Sequence, residues 1–80
     1  MKTGMLDKNG KEIMLGDFLR TFDKKGVEWK GEVVLFDHTR LKFKVGDTWT
    51  DAPYPQFAFR SNYDTVLYPH ITNQFEILNR

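Results

Sequence analysis

Eighty residues, 40% hydrophobic and with twelve aromatic side chains, are enough for one compact domain spanning 1–80 and argue against intrinsic disorder. Twelve Lys and Arg against eleven Asp and Glu leave a formal charge of +1, so no global field holds a polyanion. The absence of cysteine removes disulfides, thiolate metal sites and cysteine nucleophiles together.

In chain order, Met1-Lys2-Thr3-Gly4-Met5 runs into charged turn residues with no apolar stretch of signal-peptide length, and no later segment approaches membrane length. Asp7-Lys8-Asn9-Gly10 is turn chemistry, Glu12-Ile13-Met14 a short extended piece, and Gly16-Asp17 a change of direction before Phe18-Leu19. A calcium-loop reading of Asp7 to Glu12 fails on spacing, because Gly10 is fourth from Asp7 where an EF-hand needs its glycine sixth. A strand is predicted from Asp17 to Phe22, then a tight turn at Asp23-Lys24-Lys25-Gly26 with Gly26 at positive φ. The next strand alternates, with Val27, Trp29, Val33 and Leu35 on an apolar face that Gly31 interrupts to bend or bulge the strand. Leu41, Phe43 and Val45 repeat that parity. A three-residue loop at Asp37-His38-Thr39 would place Leu35 opposite Leu41, Val33 opposite Phe43 and Glu32 opposite Lys44. Trp29, Val33 and Phe43 are then expected on one inner face.

From Gly46 to Asp64 the alternation is lost, apart from Gln56-Phe57-Ala58-Phe59-Arg60, and the segment reads as an ordered excursion. Two apolar runs, Thr65 to Tyr68 and Gln74 to Leu78, are predicted strands. The spacing shows neither an internal repeat nor a linker, and its period of two makes the domain all-β.

The stretch Leu6 to Arg20, LDKNGKEIMLGDFLR, resembles the opening of the YopX-like family of phage and mobile-element proteins, and the closing NQFEILNR is similar to that family's last strand. Members usually continue beyond this point through a short tail. The resemblance implies an SH3-like barrel or roll of five to six short antiparallel strands. It also implies an origin in a phage, prophage or conjugative element, in a family with no settled activity; the near-zero charge and the missing nucleophile and phosphate loop favour a non-enzymatic accessory protein working in the bacterial cytoplasm through contacts with a host or phage protein. No cofactor, metal or membrane is expected.

Candidate site residues fall into three groups. Trp49, Tyr54 and Tyr63 are the candidate binding surface, with Phe57 and Phe59 of the same segment turned inward. Their rings would either close the core as a lid or present an aromatic patch to a partner. Lys30, Arg40, Lys42 and Lys44 form a basic strand face that could serve a small nucleic-acid-binding barrel. Glu28 and Glu32 share that face, so weak nucleic-acid binding or none is expected. His38 and His70 would be the bases of a hydrolase, but no nucleophile or phosphate-binding glycine loop accompanies them, so no catalytic residue is assigned. Exposed strand edges allow self-pairing into a homo-oligomer.

Overall fold

The computed structural model describes residues 1–36, 42–51 and 56–80, with the backbone alone over 42–45 and 50–51. Its strands are β1 (Lys2–Leu6), β2 (Glu12–Met14), β3 (Phe18–Phe22), β4 (Glu28–Phe36), β5 (Lys42–Val45), β6 (Thr48–Asp51), β7 (Gln56–Arg60), β8 (Asp64–Val66) and β9 (Glu76–Ile77). A 3-10 turn at Thr72–Gln74 precedes β9. Five strands form one antiparallel sheet in the order β8-β7-β4-β3-β9, while β1–β2 and β5–β6 are two-stranded ribbons. This is a small all-β fold. Among the described residues no helix is long and apolar enough to cross a membrane.

The core forms where the β1–β2 ribbon packs on the sheet. Met5 and Ile13 come from the ribbon, Leu19, Val33, Phe57, Phe59 and Ile77 from the sheet, and Leu67 and Phe75 from the segments that follow β8 and precede β9. Strand β7 has β4 on one side and β8 on the other, and its first four residues are all buried. The two phenylalanines expected to turn inward do so. The segment whose alternation is lost thus contains an inner strand of the sheet.

Strand β4 serves two neighbours. Glu28 to Glu32 pair with β3 and Glu32 to Phe36 with β7, so the strand passes from one partner to the other at Glu32. Gly31 lies beside that exchange. A Cβ there would stand 2.2 Å from the Arg60 carbonyl oxygen and 2.9 Å from the Phe59 ring. The β3–β4 register runs through Gly31 without a shift, so the glycine makes no bulge there and instead lets the end of β7 cross closely.

The predicted pairing of β4 with β5 is not formed. Val33 faces Phe59 and Leu35 faces Phe57, whereas Phe43 faces Thr50 and Lys44 faces Trp49. The loop 37–39 lies outside the described residues. The physical reason is the two-residue Gly46-Asp47 loop, which joins Val45 to Thr48 and gives β5 a nearer partner in β6. The inner face read from the alternation of residues 27–35 is also narrower than that pattern implies. Val33 is 1% exposed and Trp29 is partly buried, but Val27 at 50% and Leu35 at 48% reach solvent beyond the core.

Two turns share one design. In Leu6-Asp7-Lys8-Asn9-Gly10-Lys11-Glu12 the Asp7 N–H donates to the Lys11 carbonyl at 2.8 Å, and the Gly10 N–H donates to the Asp7 carbonyl at 3.1 Å. Asp7 Oδ1 accepts from Asn9 and Lys11, both at 2.9 Å. In Phe22-Asp23-Lys24-Lys25-Gly26-Val27-Glu28 the same four bonds recur at 3.0, 3.0, 2.8 and 2.9 Å. Both glycines have φ +79°. The strand pairs flanking the loops, Leu6 with Glu12 and Phe22 with Glu28, correspond as well. The same turn therefore recurs sixteen residues further along the chain.

The two segments that carry the family resemblance meet in space. Asp7 is buried, and its Oδ2 accepts the Ile77 N–H at 3.1 Å; the Lys8 N–H donates to the Phe75 carbonyl at 2.8 Å. Asp17 is also buried, and its Oδ2 accepts from the Met14 N–H and from Arg80, each at 2.8 Å. Both aspartates of the opening motif therefore hold the frame closed.

Candidate binding cleft

A cleft of about 260 Å³ opens at one end of the sheet, where the β3–β4 turn, the β7–β8 turn and the segment before β9 converge. Phe59 and Phe75 meet edge to face in its wall, with ring centroids 5.0 Å apart. Trp29 packs against the core, joins the lining and meets Tyr63 edge-on at 6.2 Å. Phe22 at 53% exposure and Tyr63 at 64% form the outer lips.

Local chemistry positions Trp29 and the turn that carries Tyr63. Asp23 closes its turn with Oδ1, while Oδ2 accepts the Trp29 indole N–H at 3.2 Å and holds the ring in place. The Val27 N–H bond first, then the indole, keep the Asp23 carboxyl below the usual aspartate range, so it is ionised at neutral pH and puts a negative charge on the rim. Arg60 grips Asp64 with two parallel bonds, Nε to Oδ1 at 2.8 Å and Nη2 to Oδ2 at 2.9 Å. That pair closes the base of the turn that presents Tyr63. The Thr21 hydroxyl donates to the Gln74 carbonyl at 2.9 Å and ties β3 to the far wall.

The sequence candidates are only partly assembled. Tyr63 is on the lip of the cleft. Trp49 is 64% exposed on the β5–β6 ribbon, its backbone opposite Lys44, and does not line the cleft. Tyr54 lies outside the described residues; of the segment's other rings, Trp49 and Tyr63 are exposed while Phe57 and Phe59 are buried in the core. Lys30 stands on β4, flanked by β3 and β7, with its ammonium 3.5 Å from Glu28; Lys42 and Lys44 are on β5, which pairs with β6. Arg40 and His38 lie outside the described residues. His70 is exposed and stacks on Tyr68 at 5.6 Å. Arg20 links Glu76 of β9 and Glu28 of β4, so this outer face carries alternating charges.

Sequence reasoning assigned Trp29 wholly to the core and passed over Phe22 and Asp23. The available signal was local: an aromatic residue immediately before an Asp-Lys-x-Gly turn, with tryptophan six residues after the aspartate. Phe75 and Phe59 carry no such signal, because only the fold brings residues 21–29, 59–65 and 71–75 together. Scans of the chain against protein-family models, curated proteins and solved structures return no match.

Proposed function

We propose that this protein is a non-enzymatic binding module whose aromatic cleft receives one side chain of a partner protein. The observation that carries the reading is the cleft itself, two exposed rings flanking a tryptophan whose indole is already oriented by Asp23. Rigid aromatic lips give contact area at little entropic cost, and a volume below the roughly 300–1,000 Å³ of drug-sized sites suits a single side chain. The ionised rim favours a lysine or arginine, whose stem packs on the rings while its charge meets Asp23. The resemblance of the opening and closing segments supports an accessory role for a phage, prophage or mobile element in the bacterial cytoplasm.

The test is affinity capture from host lysate with wild-type protein and with Tyr63→Ala, Phe22→Ala and Trp49→Ala, after thermal melts have matched their stabilities. Loss of the same partner in the first two variants and retention in the third is the expected result. Loss in Trp49→Ala alone would move the binding surface to the β5–β6 ribbon and end this reading.

A further inference from the structure

The aromatic cleft carries charge of one sign only. Among its described lining residues Asp23 is the one carboxylate and no lysine or arginine takes part, although Lys24, Lys25, Lys30 and Arg60 all stand in the strands and turn that frame it. Asp23 is exposed, as are the lips Phe22 and Tyr63, so the charge and the rings are open to a ligand. One ring already receives a cation. The guanidinium carbon of Arg20, a residue outside the lining, lies over Phe22 at 5.8 Å from the ring centroid. The planes of Trp29 and Tyr63 differ by 65°, so these two rings make a corner, which suits a rounded head better than a flat guanidinium that would stack on a single ring.

The acceptors left in the cleft decide which cation fits. A carboxylate offers about four acceptor positions, and Asp23 has committed Oδ1 to the Lys25 and Val27 N–H groups at 2.8 and 2.9 Å and Oδ2 to the Trp29 indole at 3.2 Å. One position is left. An arginine therefore cannot form two parallel bonds across both oxygens, and a lysine ammonium, with three donors, would exchange water for that one position and the neutral groups of Thr21, Ser61, Thr65 and Gln74. A trimethylammonium has the same charge and no N–H to satisfy. Its methyl groups pack on aromatic rings, which is how quaternary ammonium ions are recognised.

This inference rests on the reading of the cleft as the partner-binding site and narrows it to one kind of side chain. We propose that the cleft is a cage for a quaternary ammonium, the Nε-trimethyl head of a modified lysine on the partner protein, with the methyl groups against Phe22, Trp29 and Tyr63 and the Asp23 carboxylate balancing the charge at the rim.

The experiment is an NMR titration of the full chain that follows the Trp29 indole N–H, with the Trp49 indole as internal control. The probes are N-acetyl-Nε-trimethyl-lysine methylamide, its unmethylated counterpart, its neutral isostere with carbon in place of the quaternary nitrogen, and choline chloride. The trimethylated probe should shift the Trp29 signal saturably with a dissociation constant of about 1 mM, and the unmethylated and neutral probes should bind about tenfold more weakly. Choline, which has the head without the stem, should also bind more weakly. Tyr63→Leu keeps an apolar side chain but removes the ring, and should weaken the trimethylated probe about tenfold, whereas Tyr63→Phe should bind like the wild type. Equal affinity for the unmethylated or the neutral probe overturns the proposal, as does the absence of shifts at Trp29 up to about 20 mM trimethylated probe. Choline bound as tightly as the lysine derivative would assign the cage to a free or lipid-borne headgroup and overturn the assignment to a partner side chain. Affinity capture separates this proposal from the reading beneath it: capture that depends on Tyr63 and Phe22 without any preference for the trimethylated probe removes the cage and leaves the partner site.

Discussion

The turn at Asp7 and the turn at Asp23 are built alike down to the glycine angle, yet they do different work. In each, one carboxylate oxygen gathers two N–H groups of the loop. The other oxygen separates them. In Asp7 it is buried and reaches Ile77, 70 residues along the chain; in Asp23 it faces solvent and reaches an indole six residues away. Local sequence dictates the turn, and tertiary context decides whether the spare oxygen secures the frame or sets up a binding surface.

The largest difference should appear on removing the carboxylates. Asp7→Ala leaves the Ile77 N–H and the loop donors without their charged acceptor in a buried place, and should cost about 3 kcal/mol in urea unfolding. Against a total of roughly 4–12 kcal/mol for a domain of this size, that is a large share. Asp23→Ala should cost several-fold less. Equal losses would mean that the long-range bond of Asp7 adds nothing to the turn.

The pH dependence of stability should follow. Burial opposes ionisation of Asp7, but the N–H donors of Lys11, Ile77 and Asn9, aided by the Lys11 charge, outweigh it and hold the carboxyl below the usual 3.8. A depressed folded value stabilises the protein above the unfolded value, and that contribution is lost as pH falls through the folded one. The stability gap between wild type and Asp7→Asn should therefore be full at neutral pH and should shrink once pH drops below 3.8. A gap unchanged down to pH 2 would show that the charge of Asp7 is not what matters.

The two glycines sharpen the comparison from the other side. Gly10 and Gly26 both sit at φ +79° with open space where a Cβ would go, so alanine at either should cost about 1–2 kcal/mol, the same at both sites. A marked inequality in thermal or urea melts would show that the turns are not locally equivalent. The smallest effect is expected at Tyr63. With 64% of the residue exposed, Tyr63→Ala should change stability by less than about 0.5 kcal/mol while abolishing partner capture. A large loss of stability would make the ring part of the core.

These elements also show what was legible in the sequence. Asp-x-x-Gly carries its own hydrogen bonds, so both turns and strand β3 were readable without knowledge of the rest. The partner of β4 was not. Alternation on two neighbouring segments says that each has an apolar face, but it does not say which strands share a ladder, and the Gly46-Asp47 loop was the better guide. The candidate site divides in the same way. Tyr63 was found because it is aromatic in an irregular stretch; its companions Phe22 and Trp29 looked like ordinary strand residues until Arg60 and Asp64 closed the turn beside them.

The bond from Asp7 to Ile77 also sets an order in time. A chain emerging from the ribosome completes the Asp23 turn as soon as Val27 has appeared, since every donor to that turn lies within a few residues. Asp7 waits. Its second oxygen has no donor until Ile77 is made, and Asp17 lacks Arg80 until three residues later still. Almost the whole domain must be synthesised before its frame can lock, so folding is completed after translation of these residues, with the non-local closure as the slow step. During that interval Ile13, Leu19 and Val33 are without Phe75 and Ile77 above them, which makes the nascent chain a stronger substrate for chaperones than the finished fold.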